Sequence, residues 1–96
     1  MHNYTLLETK LGALLDSLEE VFTPSEISEV RQFLDAGEYG LALETICGII
    51  AEEQKPVGNQ VLEQIRVLRD LMQLDSELVS VVIDATPRSG VRKTGT

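Results

Sequence analysis

Apolar residues recur along this chain at the spacing of helices. Leu7, Leu11, Leu14, Leu15, Leu18 and Phe22 fall three and four residues apart, which gathers them on one helical face. The pattern predicts a first helix from about Tyr4 to Val21, with Glu8, Gly12, Asp16, Glu19 and Glu20 on its outer side. Thr23-Pro24-Ser25-Glu26 predicts the next start. The Thr23 side chain suits the free amide three residues on, Glu26 can answer it, and Pro24 sits where a missing N–H does no harm. Ile27, Val30, Phe33 and Leu34 form the inward stripe of this second helix, and Gly37 supplies the left-handed residue that ends it. A third helix is expected from about Tyr39 to Glu53, halted by Lys55-Pro56. Its apolar positions Ala42, Leu43, Ile46, Cys47, Ile49 and Ile50 cover so much of its circumference that it should be the central helix. Val61, Ile65, Leu68 and Met72 mark a fourth, from about Asn59 to Met72.

Beyond Met72 the signal divides. Ser76 suits the cap of a short fifth helix through Val82, yet Val79, Val81, Val82 and Ile83 are β-branched and suit an extended segment as well. From residue 85 the composition is that of a flexible tail. The expected architecture is therefore all-α: one compact bundle over residues 1–84, with four main helices and a short fifth, followed by a basic tail over 85–96. Ninety-six residues leave room for one domain, and with no Trp, two Phe and two Tyr the core must be aliphatic.

Charge sharpens the picture. Residues 1–84 hold all sixteen acids against five bases, a net of −11, whereas Arg88, Arg92 and Lys93 give the last twelve residues +3. So negative a field repels nucleic acid and draws in positively charged proteins, although it also serves plain solubility. No apolar run approaches the ~20 residues of a membrane span. Met1-His2-Asn3-Tyr4 lacks the basic start and apolar block of a signal peptide. A cytoplasmic protein is expected.

Catalytic chemistry finds little to stand on. His2 is the only histidine and Cys47 the only cysteine, so neither a disulfide nor a metal site of ordinary ligand count fits within one chain. Cys47 lies on the apolar stripe of helix three, as a small core residue would. The seven glycines are scattered singly, which excludes a phosphate-binding loop. We expect no enzyme, no metal and no cofactor. Asp16-Ser17-Leu18 does match the tripeptide whose serine carries phosphopantetheine in acyl carrier proteins. There, however, the serine opens the second helix after a long loop, and here it falls inside the first helical stripe. An acyl carrier modified at Ser17 and a generic helical adaptor are the alternatives to the reading that follows.

The acidic faces are the remaining candidates. Glu44, Gly48 and Glu52 lie at four-residue spacing on helix three, and Glu8, Gly12 and Asp16 repeat the arrangement on helix one, continued by Glu19. A helical glycine costs about 1 kcal/mol relative to alanine, so two of them among carboxylates suggest close packing by a partner or a neighbouring helix, unless a solvated face simply tolerates them. Glu44, Glu52 and Asp16 have no base four residues away to pair with. With Glu38, Tyr39 and Leu41 at the start of helix three, these seven complete a set of ten candidate partner contacts.

The segment Gly37-Glu38-Tyr39-Gly40-Leu41-Ala42-Leu43-Glu44, within the longer run Phe33 to Cys47, resembles the MafI-type family of bacterial immunity proteins, which includes immunity proteins of contact-dependent growth inhibition systems. The similarity takes in Leu14, Leu15 and Leu18, then Pro24-Ser25-Glu26, and Glu52 through Val57, about residues 7–72 in all. The resemblance implies a protein held in the producing cell's cytoplasm that binds the C-terminal domain of a secreted toxin and blocks its active site. Toxins paired with that family are often ribonucleases of the EndoU type, with RNase A-like and other domains also open. The resemblance supplies no fixed inhibitory motif; the ten contacts rest on surface geometry alone.

Overall fold

A computed structural model describes residues 4–85. It contains five helices and, among the described residues, no strand: α1 (Tyr4–Leu18), α2 (Pro24–Asp35), α3 (Tyr39–Glu52), α4 (Asn59–Met72) and α5 (Glu77–Ala85). His2 lies outside the described residues. So does the basic tail, save that Ala85, expected to begin it, instead closes α5.

Each leucine of the first stripe is buried, from Leu7 to Leu18, together with Phe22. The helix itself stops three residues short of the expected Val21. The amides of Val21 and Phe22 both donate to the Leu18 carbonyl, at 3.0 and 2.8 Å, which winds the chain into a turn and drops Phe22 into the core. Glu19 and Glu20 therefore belong to this turn and not to α1.

The start of α2 forms as its residues dictate. Glu26 N–H donates to Thr23 Oγ1 at 3.1 Å, and Thr23 N–H donates to Glu26 Oε1 at 2.9 Å, satisfying two amides that the helix leaves free. Lys55 Nζ reaches the same Glu26 Oε1 at 3.0 Å and lies 5.8 Å from the centre of the Phe22 ring. The loop after α3 is thus tied to the entry of α2. At the other end, Gly37 adopts φ +76°, and the amides of Glu38 and Gly37 donate back to the carbonyls of Phe33 and Leu34, which closes the helix and reverses the chain into α3.

α3 is the central element, touching all four other helices. Ala42, Leu43, Ile46 and Cys47 have no solvent exposure at all. The helix ends at Glu52, within a residue of the expected Glu53. Gln54, at φ +51°, lets the Lys55 amide donate to the Ile50 carbonyl at 3.0 Å, so the helix is closed before Pro56 is reached. Gln73 at φ +51° ends α4 in the same manner, with Leu74 N–H donating to the Arg69 carbonyl.

The segment that suited either helix or strand is helical. Ser76 is buried, and its Oγ accepts from Val79 N–H at 3.4 Å. Val79, Val82 and Ile83, at three- and four-residue spacing, are buried. α5 packs on α3 and α4, and that burial outweighs the modest helix penalty of β-branched residues.

Candidate functional site

Along the outer side of α3, Leu41, Glu44, Gly48 and Glu52 follow one another at three- and four-residue intervals and line a single groove of about 440 Å³. Glu26 and Glu29 of α2 form one wall, and Leu78 of α5 forms the other. Leu41 and Leu78 are 47% and 41% exposed, so two large apolar side chains stand in solvent amid carboxylates. No basic side chain lines the groove among the described residues. A Cβ built on Gly48 would meet Leu78 Cδ2 at 3.5 Å, an ordinary contact. The close approach expected at this glycine is therefore to α5 of the same chain, and alanine would fit.

The acids of the groove differ in their engagement. Glu26 is held by the Thr23 amide and by Lys55, which keep its carboxyl below the usual range. Glu29, Glu44, Glu52 and Glu53 form no ion pair with any described residue. Four carboxylates without a cation are thereby left beside two exposed leucines.

The start of α3 borders a second groove, of about 520 Å³, which Glu38, Tyr39 and Leu41 line together with Tyr4 of α1. Leu41 is common to both grooves. Glu8 faces Tyr39: burial first, then the Glu8 charge and its hydrogen bond, push the phenol above its ordinary pKa.

The rest of α1 is placed otherwise. Gly12 has nothing within 4 Å of a built Cβ, so no other helix among the described residues packs closely against it. Asp16 is exposed on α1. Glu19, in the turn after α1, lines a third groove of about 610 Å³ with Phe22, Arg31 and Asp35, on the side of α2 away from Glu29. The ten candidates consequently do not form one face. Six of them (Glu38, Tyr39, Leu41, Glu44, Gly48 and Glu52) make a continuous strip along α3, Glu8 joins it through Tyr39, and Gly12, Asp16 and Glu19 lie apart. Sequence reasoning missed Glu29, Tyr4 and Leu78. Glu29 was legible as an acid one turn from Glu26; Leu78 had no signal, because it belongs to the site only through the docking of α5.

Cys47 is fully buried, and its thiol is pushed up to about 12, chiefly by burial and secondarily by the Glu44 charge. A thiol so placed is a poor nucleophile. Ser17 sits in the last turn of α1 with its hydroxyl donating to the Ala13 carbonyl at 3.2 Å, whereas the acyl-carrier alternative needs a serine that opens a helix. Among the described residues, no three His, Cys, Asp or Glu side chains converge as metal ligands, and no helix is long and apolar enough to cross a membrane. No protein-family model, no curated protein and no solved structure matches the chain.

Proposed function

We propose that this protein is a cytoplasmic immunity protein that binds a cognate bacterial toxin domain and neutralises it without catalysing any reaction. The observation that carries the reading is the groove between α2, α3 and α5, where Glu29, Glu44, Glu52 and Glu53 stand unpaired around exposed Leu41 and Leu78. Exposed apolar side chains among charges of one sign suit a protein-binding surface. The sign matters. A ribonuclease cleft is cationic because it holds phosphate, and an anionic surface on a rigid helical body associates with it quickly and competes for it. The resemblance of residues 33–47 to the MafI-type family agrees with this chemistry and favours an EndoU-type ribonuclease as the target.

Co-expression tests the reading. Cells producing a toxin domain encoded beside this gene should grow when the protein is present and arrest when it is absent. Growth arrest in both cases, with the protein folded and abundant, would refute the proposal.

A further inference from the structure

The first turns of α1 and α3 meet around two aromatic rings. Tyr4 and Tyr39 have their ring centres 5.9 Å apart, tilted by 38°. Tyr4 is 59% exposed, and Tyr39 is half-buried. Leu7, Met72 and Leu74 give the surrounding groove apolar walls, and Glu38 stands on it. Glu38 occupies the cap position of α3 but makes no side-chain cap bond there, so its carboxylate is available to a ligand. Glu8 adds a second negative charge beside Tyr39. No basic side chain of the described residues lines this groove.

These features select a ligand by chemistry. Aromatic ring faces attract cations, and the two carboxylates repel anions. A neutral apolar ligand would strip water from Glu38 and offer nothing in return. Among cationic side chains, a guanidinium is flat, weakly hydrated and able to bond a carboxylate while stacking on a ring, which an ammonium does less well. Its aliphatic stem matches the apolar walls.

We infer that this groove is an arginine subsite. It takes one arginine side chain of a partner protein, the guanidinium lying against Tyr4 and Tyr39 and bonded to Glu38, the stem running along Leu7 and Met72. The inference rests on the reading of the chain as a binder of a cationic protein. It adds a second anchor to the carboxylate groove, joined to it at Leu41.

The chain offers a built-in probe, since Tyr4 and Tyr39 are its only tyrosines and it has no tryptophan. Titration with an end-blocked tetra-arginine peptide should change the tyrosine emission saturably, and a tetra-glutamate peptide should leave it unchanged. With the peptide labelled and followed by anisotropy, Tyr4→Leu and Tyr39→Leu should each weaken binding about three- to tenfold. Tyr4→Phe and Tyr39→Phe keep the ring faces and should bind within about twofold of wild type. Glu38→Gln should weaken binding as the leucine variants do. Tyr4 is exposed enough that its leucine variant should retain wild-type far-UV circular dichroism. Wild-type affinity in that folded variant, equal losses in the Phe and Leu variants, or tyrosine emission indifferent to the arginine peptide would each overturn the subsite. If a toxin domain bound both leucine variants as tightly as wild type, the subsite would fall and the immunity reading would stand. If the peptide behaved as expected and no toxin domain bound, the subsite would stand and the immunity reading would fall.

Discussion

At the scale of single residues, the chain assigns contrasting roles to similar chemistry. Glu26 and Glu29 are one helical turn apart. The first is consumed by structure, accepting from Thr23 N–H and Lys55, and the second faces the groove without a cation. Glu26 has a lowered folded-state pKa, caused first by the Thr23 backbone bond and then by Lys55. Its contribution to stability is therefore full above the unfolded-state value and is lost as pH falls through the folded one. Urea unfolding should find Glu26→Gln less stable than wild type at neutral pH, with the difference shrinking as pH falls below the ordinary glutamate range. A difference that grew on acidification would contradict the assignment. Cys47 makes the opposite case of a group with no chemistry to offer. With its thiol pushed up to about 12 and no exposure, it should resist a thiol-disulfide reagent at pH 8 in native protein and react fully in denaturant. Rapid reaction of the native thiol would show that this part of the core opens readily.

Two residues hold a conformation their side chains disfavour. Gln54 and Gln73 are both left-handed, at φ +51°, a region that costs a residue with a Cβ roughly 1–2 kcal/mol. Glycine relieves that strain but gains entropy in the unfolded chain. Gln73→Gly, at an exposed position, should raise the unfolding free energy by about 0.5–1 kcal/mol. A chemical-denaturation midpoint that fell would show that the Gln73 side chain makes a contribution outweighing its backbone cost.

At the scale of elements, legibility followed how local each determinant is. α2 could be read from both ends because Thr23, Glu26 and Gly37 act within a few residues of themselves. α4 could be read because an apolar stripe fills it from Val61 to Met72. The end of α1 could not, because the turn that buries Phe22 answers to the core and not to the neighbouring sequence. The stop of α3 is legible to within a residue, at Glu52 against the expected Glu53, but the left-handed Gln54 that closes it is not, since glutamine carries no preference for that conformation. α5 was ambiguous for a physical reason: Val79, Val82 and Ile83 are intrinsically suited to strands, and only packing against α3 and α4 decides the matter. The same logic applies to the site. The acids of α3 and their shared face are legible from spacing, but how the acidic face of α1, with Gly12 and Asp16, lies relative to them is not. A helical period says which residues share a face and nothing about which other helix that face looks toward. Serine 76 offers a test at this scale. Ser76→Ala removes the hydroxyl that receives the Val79 amide and should destabilise the protein by about 0.5–2 kcal/mol, measurable as a lowered midpoint in thermal unfolding. An unchanged midpoint would mean that packing alone sets the start of α5.

At the scale of the whole molecule, a central helix with four neighbours supplies a rigid body, and its uncovered side supplies a surface. Residues 1–84 carry a net charge of −11; among the described bases, Lys55 pairs with Glu26 at the edge of the groove, while Arg66 pairs with Glu63 and Arg69 with Asp70. On the proposed function, association should be steered by this field and weaken with salt, because charges more than about 10 Å apart are largely screened at 0.1 M ionic strength. Close contacts at Leu41 and Leu78 should resist salt and govern dissociation instead. On that proposal, the measurement that decides is the affinity of the cognate toxin domain for wild type and for the double variant Glu44→Lys/Glu52→Lys, each at low and high salt. The account predicts that the double variant binds at least about tenfold more weakly at low salt, chiefly through slower association, and that the gap narrows as salt rises. Equal affinity for the two proteins, with no dependence on salt, would contradict it.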